Sequence, residues 1–388
     1  MRGVLVALAS TGHLLALGAC ASSARPLSEG QAAASRQEVV EAAARVADWQ
    51  LERLQAFDYV RTFQPQTADP LNWIQATLYA GLADFADAAG DSRYVDAIER
   101  HGVGQGWGFQ GRPRHADADA IGHAWIWSAR RHDGEARARR LAPIRARFQA
   151  VLAAPSNVEL IFSERPGEAP CQARWCWSDA VFMAPPVWTA LSQVTGDDRY
   201  AAHAKRELDA TVAALFDREE KLFYRDSRFF DRRDAQGRKI FWSRGNGWAH
   251  AGLAKVIQTL PPGDPDRRRY EALFVEMSER IAALQGEAGY WPVSLLDPSG
   301  PPETSGTAFF VYGLAWGRNA GLLRGERFEA AATRGWRALD RAIQPDGRLG
   351  WVQQVGFAPD QVRADDTQLY GVGAYLMAAS EMAQREDW

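Results

Sequence analysis

This chain of 388 residues is short of lysine, cysteine and histidine patterns, and each shortage closes a line of interpretation. Only Lys205, Lys221, Lys239 and Lys255 are lysines among 45 basic residues, and the formal net charge is −3. Without an excess of positive charge there is no electrostatic footprint for nucleic acid. The arginine bias reflects a GC-rich genome rather than a surface function. The three cysteines, Cys20, Cys171 and Cys176, form no zinc-ligand pattern, and the seven histidines include no His-Glu-x-x-His pair. Neither a phosphate-cradling glycine loop nor a Gly-x-Ser-x-Gly elbow occurs. Metal, nucleotide and serine-nucleophile chemistries drop out, and no cofactor is expected. Strand-like segments are scarce as well: 222–224 and 240–242 are short enough to make only one hairpin.

What is present is the composition of a folded protein, with 46% hydrophobic and 24% charged residues. The N-terminus reads as an export signal over 1–20: Arg2, an apolar run over 4–17, then Leu17-Gly18-Ala19-Cys20. That run is short for a membrane span. A cysteine directly after Leu-Gly-Ala is similar to a bacterial lipobox, so Cys20 is expected to become the lipidated N-terminus of a periplasmic or cell-surface protein. The alternative is an ordinary secretory signal with Cys20 incidental. Residues 21–36, rich in Ala, Ser and Gly, read as a flexible tether, leaving 37–388 as a single catalytic domain.

Along that domain apolar residues recur at three- and four-residue intervals, as in Leu253, Val256, Ile257 and Leu260. This predicts helices over 37–56, 71–89, 93–103, 117–131, 137–153, 180–195, 198–215, 246–260, 266–285, 305–322, 326–342 and 366–384. A helix opening also recurs. Gly90-Asp91-Ser92-Arg93-Tyr94 and Gly196-Asp197-Asp198-Arg199-Tyr200 are near copies, with looser versions at Gly263 and Gly325. Glycine ends one helix, acidic residues favour the next N-terminus, and an aromatic starts the new apolar face. Such helices paired by short turns predict an all-α fold, an (α/α)6 barrel, with two stacked helical domains as the alternative. The long non-helical stretches 104–116, 154–178, 216–245, 286–304 and 344–365 would line a cleft if they gather at one mouth.

The strongest chemical signal is Trp175-Cys176-Trp177-Ser178-Asp179 before the apolar run 180–186. Loss of water there disfavours a charged carboxylate and raises its pKa. A protein keeps a carboxylic acid ready to donate a proton in this way. The plainer reading is a helix cap. In Phe241-Trp242-Ser243-Arg244-Gly245-Asn246-Gly247-Trp248, Arg244 suits a carboxylate and the tryptophans suit sugar faces. Equally, Asn246 caps a helix and Trp242 and Trp248 fill a core. His115-Ala116-Asp117-Ala118-Asp119 offers further carboxylates whose charge would help keep Asp179 protonated, or again a cap. The strings Glu303-Thr304-Ser305-Gly306-Thr307 and Asp365-Asp366-Thr367-Gln368 are good capping sequences that would touch substrate only from a loop mouth. Cys171 and Cys176 either staple the loop carrying Asp179 or remain free.

In these strings the chain resembles glycoside hydrolase family 105, the unsaturated rhamnogalacturonyl hydrolases. The likeness runs through Trp177 to Pro186, Tyr224-Arg225-Asp226-Ser227-Arg228, Trp242 to Trp248, Glu303 to Thr307, and Asp365 to Gly371. The resemblance implies an (α/α)6 barrel that needs no metal or organic cofactor. Its substrate would be a 4,5-unsaturated galacturonyl residue at the non-reducing end of pectin (rhamnogalacturonan) lyase products, removed by hydrating the double bond. Asp179 matches the family's catalytic aspartate, acid toward C4 and then base toward the water attacking C5, so the usual pair of carboxylates is not required. Asp117 corresponds to the second acidic residue, although relatives often carry Asp-Asp-His where this chain has Asp117-Ala118-Asp119. Trp242, Arg244, Asn246 and Trp248, with His115, Asp119, Trp177 and Thr307, are the candidate substrate-binding residues, Arg244 for the uronate. The alternatives are the related family 88 glucuronyl hydrolases and an oligosaccharide-binding lipoprotein without chemistry.

Overall fold

Short turns alternate with long loops along this chain, and the alternation builds the fold. The computed structural model describes residues 34–163 and 170–384, together with Met1 and Gly3. Cys20, the apolar run and the tether as far as residue 33 lie outside the described residues. The helices are α1 (Arg36–Leu51), α2 (Pro65–Ala68), α3 (Trp73–Ala89), α4 (Ser92–Gly104), α5 (Gly122–Arg130), α6 (Gly134–Ala153), α7 (Ala180–Met183), α8 (Pro185–Thr195), α9 (Asp198–Leu215), α10 (Ser243–Thr259), α11 (Pro265–Ala283), α12 (Thr304–Asn319), α13 (Glu326–Arg341) and α14 (Leu369–Ala383).

Contacts run from α3 to α5, α8, α10, α12 and α14 in turn, and α14 returns to α3. These six helices close an inner ring. Against it lie α1, α4, α6, α9, α11 and α13. Burial separates the two layers: α14 is buried along its whole length, whereas α6 buries only Arg140, Leu141, Ile144, Phe148 and Val151. The fold is all-α, an (α/α)6 barrel. From α3 onward, each inner helix passes by a short turn to an outer one, and each outer helix returns by a long loop to the next inner one. All inner helices therefore start at the same end, where the long loops collect.

The repeated helix opening has a simple physical basis. Gly90 (φ 66°) and Gly196 (φ 70°) close α3 and α8 in the left-handed region that glycine adopts without strain. Asp91 and Asp197 then accept from the backbone N–H of Arg93 and Arg199, capping α4 and α9. Tyr94 and Tyr200, each 1% exposed, seat the new helix on the ring.

Two expectations change. The helix expected over 180–195 is broken into α7 and α8, because Pro185 and Pro186 lack the N–H that would continue it. The hairpin expected between 222–224 and 240–242 does not form. Instead β1 (Phe216–Asp217) pairs with β2 (Leu222–Phe223), which a four-residue turn brings directly opposite, and Trp242 bridges to Ser294. A second small ribbon joins β3 (Trp291–Pro292) to β4 (Pro302–Glu303).

Candidate active site

The loop that delivers Asp179 is fastened at several points. A disulfide joins Cys171 to Cys176, with Cα atoms 5.6 Å apart. Trp175 takes a left-handed conformation (φ 59°), held by Thr211 Oγ1, which donates to its carbonyl at 2.9 Å. The next anchor is backbone: Ser178 N–H donates to the Arg225 carbonyl at 2.9 Å. Asp179 follows, immediately before α7, and its side chain makes no capping hydrogen bond. It is 13% exposed at the N-terminal end of the ring. Burial raises its pKa. Opposing that rise are Arg225, whose Nε is 3.8 Å from Oδ2, the Ser178 hydroxyl donating at 3.0 Å, and Arg244, while the Asp117 charge adds to it. An acid so placed can hold a proton and release it to a neighbour.

His115 and Asp117 stand beside it. The His115 ring lies 4.9 Å from that of Trp177, and its Nδ1 accepts from the Asp117 N–H at 3.3 Å. The Asp117 carboxylate, 18% exposed, is 3.7 Å from the same nitrogen. Asp119 is placed differently. It is 1% exposed, with Oδ1 accepting from Arg147 Nε at 2.7 Å and Oδ2 from Trp188 Nε1 at 3.0 Å. Arg147 also donates to the carbonyls of Gln110 and Arg112, so Asp119 anchors the loop leading to α5. Both its oxygens are committed to protein partners.

The tryptophan–arginine string is brought to the ring but turned inward. Trp248, 1% exposed, packs against Phe309 at 4.3 Å and Phe182 at 5.0 Å. Trp242, also 1% exposed, donates to Gln353 Oε1 at 2.7 Å. Asn246 ties β2 to α10: its Oδ1 accepts from Phe223 N–H at 2.7 Å, and its Nδ2 donates to the Phe223 and Trp242 carbonyls. Thr307 accepts from Trp291 N–H at 3.1 Å and is fully buried. Arg244 lies between the rings of Trp242 and Tyr370 and donates to the Gln353 carbonyl at 2.6 Å and the Gln354 carbonyl at 3.0 Å. Its charge reaches Asp179, but only 1% of the residue is exposed. Glu303 and Asp366 are equally occupied: Glu303 caps α12 through Ser305 and Gly306 N–H, and Asp366 takes a two-pronged contact from Arg61.

The sequence model of Glycosyl Hydrolase Family 88 matches residues 42–386. The chain belongs to this family. An unsaturated 3S-rhamnoglycuronyl hydrolase of Alteromonas sp. is 39% identical over 87% of this chain and 83% of its own length. A second protein of that name, from Formosa agariphila, is 35% identical over 82% of this chain and 86% of its own. The solved structure of a family 88 glycosyl hydrolase from Bacteroides vulgatus superposes with a TM-score of 0.77 at 27% identity, covering 90% of this chain and 99% of that one. The protein is a glycoside hydrolase, and family 88 stands beside the family 105 to which the motifs pointed.

For a family 88 hydrolase the polar groups with any exposure are the informative ones. Asp179 and Asp117 have it, and so does Arg225, which is 13% exposed. Arg225 sits inside the Tyr224-to-Arg228 string, yet nothing in its spacing marks it for chemistry; only the backbone tie to Ser178 brings it to the acid. Among the described residues no group of three or more His, Cys, Asp or Glu is placed to hold a metal ion.

Proposed function

We propose that this enzyme removes the 4,5-unsaturated uronyl residue from the non-reducing end of oligosaccharides released by polysaccharide lyases, with Asp179 as both acid and base. The observation that carries the assignment is a carboxylate in the cleft that caps no helix and whose burial favours its protonated form. Protonated Asp179 gives its proton to C4 as the C4=C5 electrons form the new C4–H bond. Water adds to C5, and its proton goes to the Asp179 carboxylate, restoring the acid. The hemiketal at C5 then opens to a ketone, its proton moving to the ring oxygen, and the C1 hemiacetal so formed releases the next sugar as an alcohol. Asp117, whose charge adds to the effect of burial in favouring the acid form of Asp179, assists.

A uronate linked to rhamnose is common to the expected rhamnogalacturonan fragments and to the names of the two relatives that align over most of this chain. Rhamnose is accordingly the assigned neighbour, and because the relatives' names say glycuronyl, which covers any uronyl residue, both glucuronyl and galacturonyl forms are tested. The test follows the ultraviolet band of the conjugated uronate with unsaturated uronyl-rhamnose disaccharides of both kinds. Wild type should abolish the band and Asp179→Asn should not, with a loss of at least about 10³-fold. Full activity in Asp179→Asn would overturn the assignment. Binding without any loss of the band by wild type would favour a carbohydrate-binding lipoprotein.

Export with a lipid anchor at Cys20 is part of the same proposal. The sequence around Cys20 supports it, and the Cys171–Cys176 disulfide suits an oxidising compartment. Among the described residues no helix is long and apolar enough to cross a membrane.

A further inference from the structure

Arg225 stands apart from the other arginines around the site. Its Nη1 donates to Asp226 at 2.6 Å, and Asp226, fully buried, also takes Arg228 Nε and Nη2 at 2.8 Å each. The ring of Phe162 lies against both guanidiniums, 5.4 Å from that of Arg225 and 4.1 Å from that of Arg228. Held so, Arg225 has few places to go. Its Nε is buried, has no hydrogen-bond partner among the described residues, and sits 3.8 Å from Asp179 Oδ2. A buried N–H without an acceptor is costly to leave unmade. Arg244 also has an unpartnered Nε, but its two terminal nitrogens are already spent on backbone carbonyls and it is 1% exposed.

We propose that Arg225 receives the carboxylate of the unsaturated uronide, and so selects the substrate and sets its double bond against Asp179. The inference rests on the hydration chemistry proposed above. In that substrate the carboxylate is carried on C5, one bond from the double bond and two from C4. A carboxylate drawn to the guanidinium beside Asp179 therefore brings C4 within reach of the acid. An uncharged sugar offers Arg225 nothing to pair with.

The same contact couples binding to catalysis. Three ionisable groups act on Asp179: Arg225 and Arg244 favour its anion and Asp117 disfavours it, while Asp226 pairs with Arg225. When the uronate occupies Arg225, the cation that stabilised the Asp179 anion is neutralised and a second negative charge arrives nearby. Both changes favour the protonated acid. The acid is thus completed by the substrate it is to protonate. Asp179 must be protonated to act, so activity falls as pH rises through its pKa. The free enzyme should lose kcat/KM at a lower pH than the complex loses kcat.

The experiment compares the unsaturated uronyl-rhamnose acid with its methyl ester, which keeps the shape and lacks the charge, on wild type, Arg225→Gln and Arg225→Lys. Wild type should prefer the acid by about 10- to 100-fold in kcat/KM. Arg225→Gln should lose that preference, chiefly through KM, and its kcat/KM limb should move up to meet the kcat limb. Arg225→Lys should recover part of both. A preference for the acid that survives in Arg225→Gln would overturn the assignment and pass the carboxylate to another group, Arg244 first. Should Arg225→Gln fail to fold, wild type alone decides: limbs that coincide on the acid would sink the coupling, while limbs separated on the acid and coincident on the ester would support it. If wild type leaves the acid untouched, the hydration reading itself has failed, a result distinct from either.

Discussion

At the scale of single residues, a side chain's neighbours along the chain say less about its role than the atoms it finally meets. Asp179 and Arg244 were both legible as chemical candidates, each in a string dense with tryptophan. Asp179 keeps a carboxylate in the cleft, whereas Arg244 is sandwiched between Trp242 and Tyr370 and tied to two carbonyls. The difference arises from Gln353 and Gln354, more than 100 residues downstream, and no local pattern could reveal it. Arg225 was hidden for the opposite reason: its importance comes from a backbone bond to Ser178 that joins the loops before two neighbouring inner helices, α8 and α10. Asn246 shows the same division. Its amide satisfies both polar groups of the Phe223 backbone and is fully buried. Asn246→Ala should therefore cost about 3 kcal/mol, since it strands a buried N–H and a buried carbonyl. A urea titration checks it. A raised KM with an unchanged denaturation midpoint would instead return Asn246 to the substrate.

At the scale of elements, helix positions were largely readable because caps and apolar spacing are local. The Gly-Asp openings mark α4 and α9 within one residue of where they begin. What spacing conceals is how closely the elements approach. Where α3 crosses α14, a Cβ on Gly373 would lie 2.2 Å from the Thr77 carbonyl oxygen, and one on Gly81 would lie 2.1 Å from that of Gly373. These two glycines read as ordinary members of apolar helices, yet they set the separation at which the ring closes. Gly373→Ala must push backbone against backbone, and should cost about 3 kcal/mol or more. Gly196→Ala meets no atom within 4 Å and carries only the left-handed strain, about 1 to 2 kcal/mol. The ranking of the two by chemical denaturation tests whether the α3–α14 seam is a tight joint. Equal losses would show that the seam yields.

At the scale of the whole molecule, a ring of parallel inner helices has two unlike ends. The N-terminal end gathers the long loops and Asp179; the C-terminal end was invisible in the sequence, because no motif marks it. There Asp84 of α3, Lys255 of α10, Asn319 of α12 and Glu381 of α14 converge from four helices. Lys255 Nζ donates to Asp84 at 2.6 Å, and Asn319 Nδ2 donates to Glu381 at 2.9 Å beside a cavity of about 390 Å³. Glu381 is 8% exposed. Burial, reinforced by the Asp84 charge and opposed by Asn319 and Lys255, raises its pKa to about 7. The folded protein consequently holds a proton on Glu381 that the unfolded chain has released. Below the unfolded value the two states bind that proton alike and nothing is lost. As pH rises from there through about 7, the unfolded state gains relative to the folded one, and above about 7 the penalty is complete. Its upper size is roughly 3 kcal/mol. Glu381→Gln keeps the shape and the Asn319 contact without the ionisation. The variant should match wild type near pH 4 and exceed it near pH 8 by about 1 to 3 kcal/mol, read from urea midpoints at the two values. Because Glu381 lies at the opposite end of the inner helices from Asp179, activity at low pH should be unchanged. A variant no more stable at the higher pH would mean that water or Lys255 already neutralises the buried carboxylate, and that the base of the barrel imposes no pH limit on the fold.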